Sequence, residues 1–61
     1  MSNVIVKKDG CGIEFLEDDV CFYDLTFDEI YRHGVEFWLN HLSDKTWFCD
    51  SVKAQFLSLI K

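Results

Sequence analysis

The sequence predicts an α+β fold: a three-stranded antiparallel meander followed by two helices packed on one face of it, in the order β-β-β-α-α. Three observations carry that prediction. Residues 3–23 hold three β-rich stretches, separated by Asp9-Gly10 and by Glu17-Asp18-Asp19. Thr26-Phe27-Asp28-Glu29 has the spacing of a capping box, with Thr at the N-cap and Glu at N3. Beyond it, apolar residues recur at three- and four-residue steps to the end of the chain.

The first stretch, residues 3–8, reads Asn-Val-Ile-Val-Lys-Lys and is β-branched at its centre. Asp9-Gly10 suits a two-residue type I′ turn, because both residues tolerate positive φ. In residues 11–16, Ile13 and Phe15 face one way and Glu14 the other, the pattern of a half-buried strand, and Leu16 interrupts the alternation. Three adjacent carboxylates at Glu17-Asp18-Asp19 favour a turn over a strand interior. Val20-Cys21-Phe22-Tyr23 is the third strand, which a stable sheet needs because a lone hairpin is marginal in water.

Helix 1 is expected from the Thr26 cap to about Leu42. Leu25 and Ile30 would form a hydrophobic staple, and Asp28 and Glu29 sit where a helix N-terminus favours negative charge. Phe27, Ile30, Tyr31, Gly34, Trp38 and Leu42 would share one face. A glycine in mid-helix costs about 1 kcal/mol against alanine, so Gly34 points to close approach of another element. Ser43 or Asp44 would cap helix 2, in which Phe48, Val52, Phe56, Leu59 and Ile60 form the apolar face and Lys61 complements the C-terminal end.

At 61 residues the chain is read as one domain, 1–61, near the lower size limit for unaided folding. Ordering costs roughly 1.5 kcal/mol per residue, so the core must be dense. Aromatics at 16% and apolar residues at 49% supply that density and exclude disorder. No apolar run approaches the ~20 residues of a membrane span, and the start lacks the charged-then-apolar order of a signal peptide. The expected location is the cytoplasm, in a reducing compartment. Cys11, Cys21 and Cys49 fit it: an odd count forms no closed disulfide set, and free thiols packed as small apolar groups are expected.

Charge carries more information than composition. The net charge is −5, but residues 9–36 hold nine acids against one base, Arg32. That field repels nucleic acid and anionic membranes, so neither is an expected partner. It attracts basic protein surfaces. The same acidity also serves simply to keep a small domain in solution.

The residue types of catalysis are present without its spacings. His33 and His41 lie eight residues apart, about 12 Å along a helix, too far to share an ion. No zinc-type or calcium-loop pattern occurs, and Gly10 and Gly12 fit a hairpin better than a phosphate loop. The expectation is no metal, no cofactor and no enzymatic activity. Trp38 belongs to the helical apolar stripe, while Trp47, near the break between the helices, stands between core and interface.

The candidate partner-binding residues are therefore Glu14, Glu17, Asp18, Asp19, Asp24, Asp28 and Glu29, from neighbouring strands, their turn and the first turn of helix 1. Strand neighbours lie about 4.8 Å apart and alternate residues about 6.8 Å, so a sheet can space carboxylates much as nucleic acid spaces phosphates. In size, charge and order of elements the whole chain resembles the small acidic anti-CRISPR proteins of phages and mobile elements, a group without a shared motif. The acids from Glu14 to Glu29 carry the resemblance as a charge pattern. It implies a monomeric, stoichiometric inhibitor in a bacterial host cell, a DNA mimic that binds a basic nucleic-acid-binding surface. The implied target is a CRISPR effector, a type I surveillance complex at its DNA-recognition step. The alternative is a small structural or regulatory protein-interaction domain, an antitoxin or assembly subunit, that buries an apolar interface.

Overall fold

The computed structural model describes residues 4–60. Asn3, read as the start of the first strand, and Lys61, read as complementing the last helix, lie outside the described residues. Three antiparallel strands, β1 (Val4–Lys8), β2 (Gly12–Glu17) and β3 (Val20–Thr26), form a sheet in the order β1-β2-β3. Three helices follow: α1 (Phe27–His33), α2 (Val35–Leu42) and α3 (Asp50–Leu59). The expected α+β meander followed by helices is thus the observed architecture.

The strands form for the reasons the alternation implies. Ile13 and Phe15 of β2 are fully buried, Val6 and Leu25 nearly so, and all four face the helices. Phe15 lies at the centre of this layer. Its ring is 5.1 Å from Trp47 and 5.8 Å from both Tyr23 and Phe56. Such contacts are worth about 0.5–1.5 kcal/mol per aromatic pair beyond burial. Ile30, Trp38, Leu42, Val52 and Phe56 close the core from the helical side.

The two-residue turn falls at the second hairpin and not at the first. Asp9-Gly10 does not make the type I′ turn. Instead the Asp9 amide donates to the Gly12 carbonyl at 2.9 Å, and the Asp9 carboxylate accepts from the Cys11 and Gly12 amides at 2.7 and 2.9 Å. A side chain that satisfies two backbone donors stabilises a longer turn without positive φ. The two-residue turn is Asp18-Asp19, with φ of 53° and 66° between paired Glu17 and Val20, as type I′ geometry requires. Aspartate is among the few side chains that accept this conformation.

Gly12 is required by close approach. A Cβ there would overlap the Leu25 carbonyl oxygen and come within 2.7 Å of the Thr26 Cα on β3. The irregularity anticipated at Leu16 is a shift of register between Phe15 and Leu16, which leaves Phe22 of β3 unpaired in a bulge. Phe22 and Tyr23 both reach Trp47, at 5.0 and 5.5 Å.

The helices depart from expectation in three places. The Thr26–Glu29 capping box is present, but helix 1 ends at His33, because Gly34 takes φ 90° and ψ 153°. No neighbour lies within 4 Å of a Cβ at Gly34, so the glycine serves backbone conformation and not close packing. Restarting the helix at Val35 leaves Tyr31 67% exposed, outside the face assigned to it. Neither Ser43 nor Asp44 caps the last helix. Ser43 ends α2, its hydroxyl donating to the Asn40 carbonyl, and α3 begins after Cys49. Among the described residues the β1 edge is covered by Gln55 of α3. Its amide accepts from the Val6 N–H at 3.2 Å and donates to the Val4 carbonyl at 3.5 Å, standing in for a fourth strand.

Candidate functional site

With the helices on one face, the other face of the sheet stays open, and strand register decides what it displays. Burial of Ile13, Phe15 and Leu25 on the helix side turns their neighbours outward. One outward row is Lys7, Glu14 and Asp24, paired across the three strands; the next is Ile5, Leu16 and Cys21. Glu14 and Asp24 therefore stand directly opposite each other. Like charges in that position destabilise a sheet by roughly 0.2–1 kcal/mol. Lys7 is Glu14's partner on the other side, yet among the described residues the only ion pair within 4 Å is Arg32–Asp28.

Beside this row the open face dips over Gly12. The depression is bordered by Asp9, Glu14, Asp24 and Thr26. Asp9 was not among the residues singled out from the sequence. Its signal is the Asp-Gly-Cys-Gly run, which makes a carboxylate-closed turn beside Glu14 in the folded strand order. Its carboxyl is held below the usual carboxylate range by hydrogen bonds from the Cys11 and Gly12 amides. The field of these acids reaches a neighbour as well. Tyr23 is pushed above its ordinary phenol value, first by burial and then by the Glu29 and Asp24 carboxylates.

The other expected site residues separate into distinct places. Asp18 and Asp19 are exposed at the β2–β3 turn, at the opposite end of the sheet from Asp9. Asp28 binds Arg32 one turn along α1 at 2.9 Å, with both side chains largely exposed. Such i,i+4 pairs contribute about 0.3–0.5 kcal/mol. The Glu29 carboxylate closes the capping box by accepting from the Thr26 amide and hydroxyl. Glu17 lies on the helix side, half-buried, in a cleft with Val4, Phe22, Trp47 and the first turn of α3. The seven acids do not form one face. Glu14 and Asp24 are brought together, as are Asp18 and Asp19; Glu17 is on the other side, and Asp28 and Glu29 have local partners.

The remaining polar groups make no converging constellation. Among the described residues, no three His, Cys, Asp or Glu side chains are grouped as metal ligands would be. His33 and His41 instead stack on the two sides of Phe37, with ring centroids 4.7 and 6.0 Å from it. The three cysteines are free, and all are exposed, contrary to the expected packing of their thiols. Trp38 is buried and its indole N–H donates to the Glu29 carbonyl at 3.0 Å. Trp47 is half-buried, between core and surface. No helix among the described residues is long and apolar enough to cross a membrane.

No protein-family model, no curated protein and no solved structure matches this chain.

Proposed function

We propose that this chain is a non-enzymatic binding protein that docks a basic surface of a protein partner through the carboxylates of its open sheet face. The observation that carries the reading is the Glu14–Asp24 pair. A like-charged pair at the centre of a small sheet works against folding, and such violations of local preference cluster at functional sites. Lys7 does not neutralise it by an ion pair. In its sharper form, following the anti-CRISPR resemblance, the chain is a stoichiometric monomeric inhibitor in a bacterial cytoplasm. It would occupy the DNA-recognition surface of a type I surveillance complex.

The test uses bacterial DNA-binding proteins held on immobilised duplex DNA, purified type I surveillance complexes among them. The chain is expected to release its target in proportion to the amount added, with release fading as salt rises. A Glu14→Gln, Asp24→Asn double variant should release about tenfold less, the equivalent of 1.4 kcal/mol. Equal release by the wild type and the double variant, or release indifferent to salt, would sink the acidic-face reading.

The second reading, an interaction domain with an apolar interface, draws on a different observation. Ile5, Val20 and Phe22 are 46%, 65% and 41% exposed on the sheet and its β2–β3 end. It predicts a dimer or hetero-oligomer whose mass by light scattering is insensitive to salt.

A further inference from the structure

The cleft at the turn end of the sheet differs in chemistry from the open face. Phe22, left unpaired by the bulge, and Trp47 pack edge to face along one side of the cleft, with ring centroids 5.0 Å apart at 83°. Glu17 enters from the end of β2, on the helix side of the sheet. Its carboxylate makes no ion pair and no hydrogen bond among the described residues. Two aromatic rings beside one half-buried carboxylate are the elements with which proteins hold an organic cation: the ring faces attract it and the carboxylate orients it. The first turn of α3 also opens toward the cleft and has no side-chain cap. Its partial positive charge is offset by Asp50 in that turn, and Glu17 contributes a full negative charge.

We propose that this cleft receives the guanidinium group of an arginine side chain from a polypeptide partner. Arginine fits better than lysine. Its planar group stacks on aromatic rings while donating two parallel hydrogen bonds to a carboxylate, and it is less strongly hydrated than an ammonium. The proposal rests on the reading of a basic partner surface and names the side chain that anchors it. The anchor lies on the opposite side of the sheet from Glu14 and Asp24, so the two contacts are separable.

The experiment is an NMR titration of the intact chain with N-acetyl-arginine amide. The Trp47 indole resonance and the backbone amides of Glu17 and Phe22 should move and saturate. The Trp38 indole, bonded to the Glu29 carbonyl on the far side of the core, should stay still. N-acetyl-citrulline amide, the same shape without the charge, should move none of them. Glu17→Gln should weaken arginine binding about tenfold, as expected for a hydrogen bond to a charged group. The Glu14→Gln, Asp24→Asn protein should bind the arginine probe as the wild type does. Equal shifts with citrulline overturn the proposal, as do shifts with inorganic phosphate but not arginine. Binding of free arginine clearly tighter than that of the blocked form would assign the cleft to the free amino acid and overturn the polypeptide partner. If the arginine probe fails while release from DNA still depends on Glu14 and Asp24, the cleft proposal alone falls.

Discussion

The two faces of this sheet obey different rules. On the helix side, Ile13, Phe15 and Leu25 are at most 3% exposed, and each is locked by neighbours from several elements. On the open side, the same strands present Glu14 and Asp24 in direct opposition and leave Ile5 46% exposed. The covered face has been settled by packing and the open face has not. A sequence under folding pressure alone would place a cross-strand pair of opposite charges or β-branched residues where Glu14 and Asp24 stand. The contrast teaches where to look: stability resides on one face, and freedom to bind resides on the other.

The comparison breaks hardest at Phe15. Its replacement by alanine should cost about 3–5 kcal/mol. A chain of this length has only roughly 3–9 kcal/mol of stability in total, so Phe15→Ala should lose a large share of it, read as a much lower urea midpoint and melting temperature by circular dichroism. A Phe15→Ala protein that melts cooperatively near the wild-type temperature would contradict the packing described for this face.

Gly12 sharpens the comparison from the other side. By register it belongs to the open face, opposite Thr26, yet it should tolerate change badly. A methyl group there meets the backbone of Leu25 and Thr26, which cannot yield as a flexible side chain would. Gly12→Ala should cost about 1–3 kcal/mol through strain between β2 and β3, read as a lower urea midpoint. The smallest effect should have the opposite sign. Glu14→Gln with Asp24→Asn should raise stability by roughly 0.2–1 kcal/mol, while weakening partner release as described above. A double variant less stable than the wild type would show that the pair supports the fold, and would remove the reason for reading it as functional.

Much of the architecture was legible in the chain because the relevant forces are local. Alternation at Ile13, Glu14 and Phe15 reports which face of a strand is covered, and the Thr26–Glu29 capping box is made wholly within four residues. The site was less legible. That Glu14 opposes Asp24 follows from a hairpin register, and that register depends on which pair of residues makes the β2–β3 turn. Glu17, adjacent to Leu16, was grouped with its neighbours in sequence, but the pleat carries it to the other side of the sheet. Trp47 belongs to no periodic stretch, and the surface on which it packs, made by Phe15, Phe22 and Tyr23, exists only once β2 and β3 have paired.

By itself, the sequence determined the order and kind of the elements, the start of α1, the concentration of acids between residues 9 and 36, and the aromatic core that stabilises so short a chain. Those follow from side-chain periodicity, capping and composition, each readable within a few residues. Tertiary structure alone decided the positive φ of Gly34 that divides the first helix, the placing of the two-residue turn at Asp18-Asp19 and not at Asp9-Gly10, and the late start of α3. It also separated the acids into an open-face pair, a turn and a cleft. The physical reason is common to all of these. Each is a compromise between local preference and contacts made by residues distant in the chain, and such contacts exist only once the sheet has paired and the helices have packed on it.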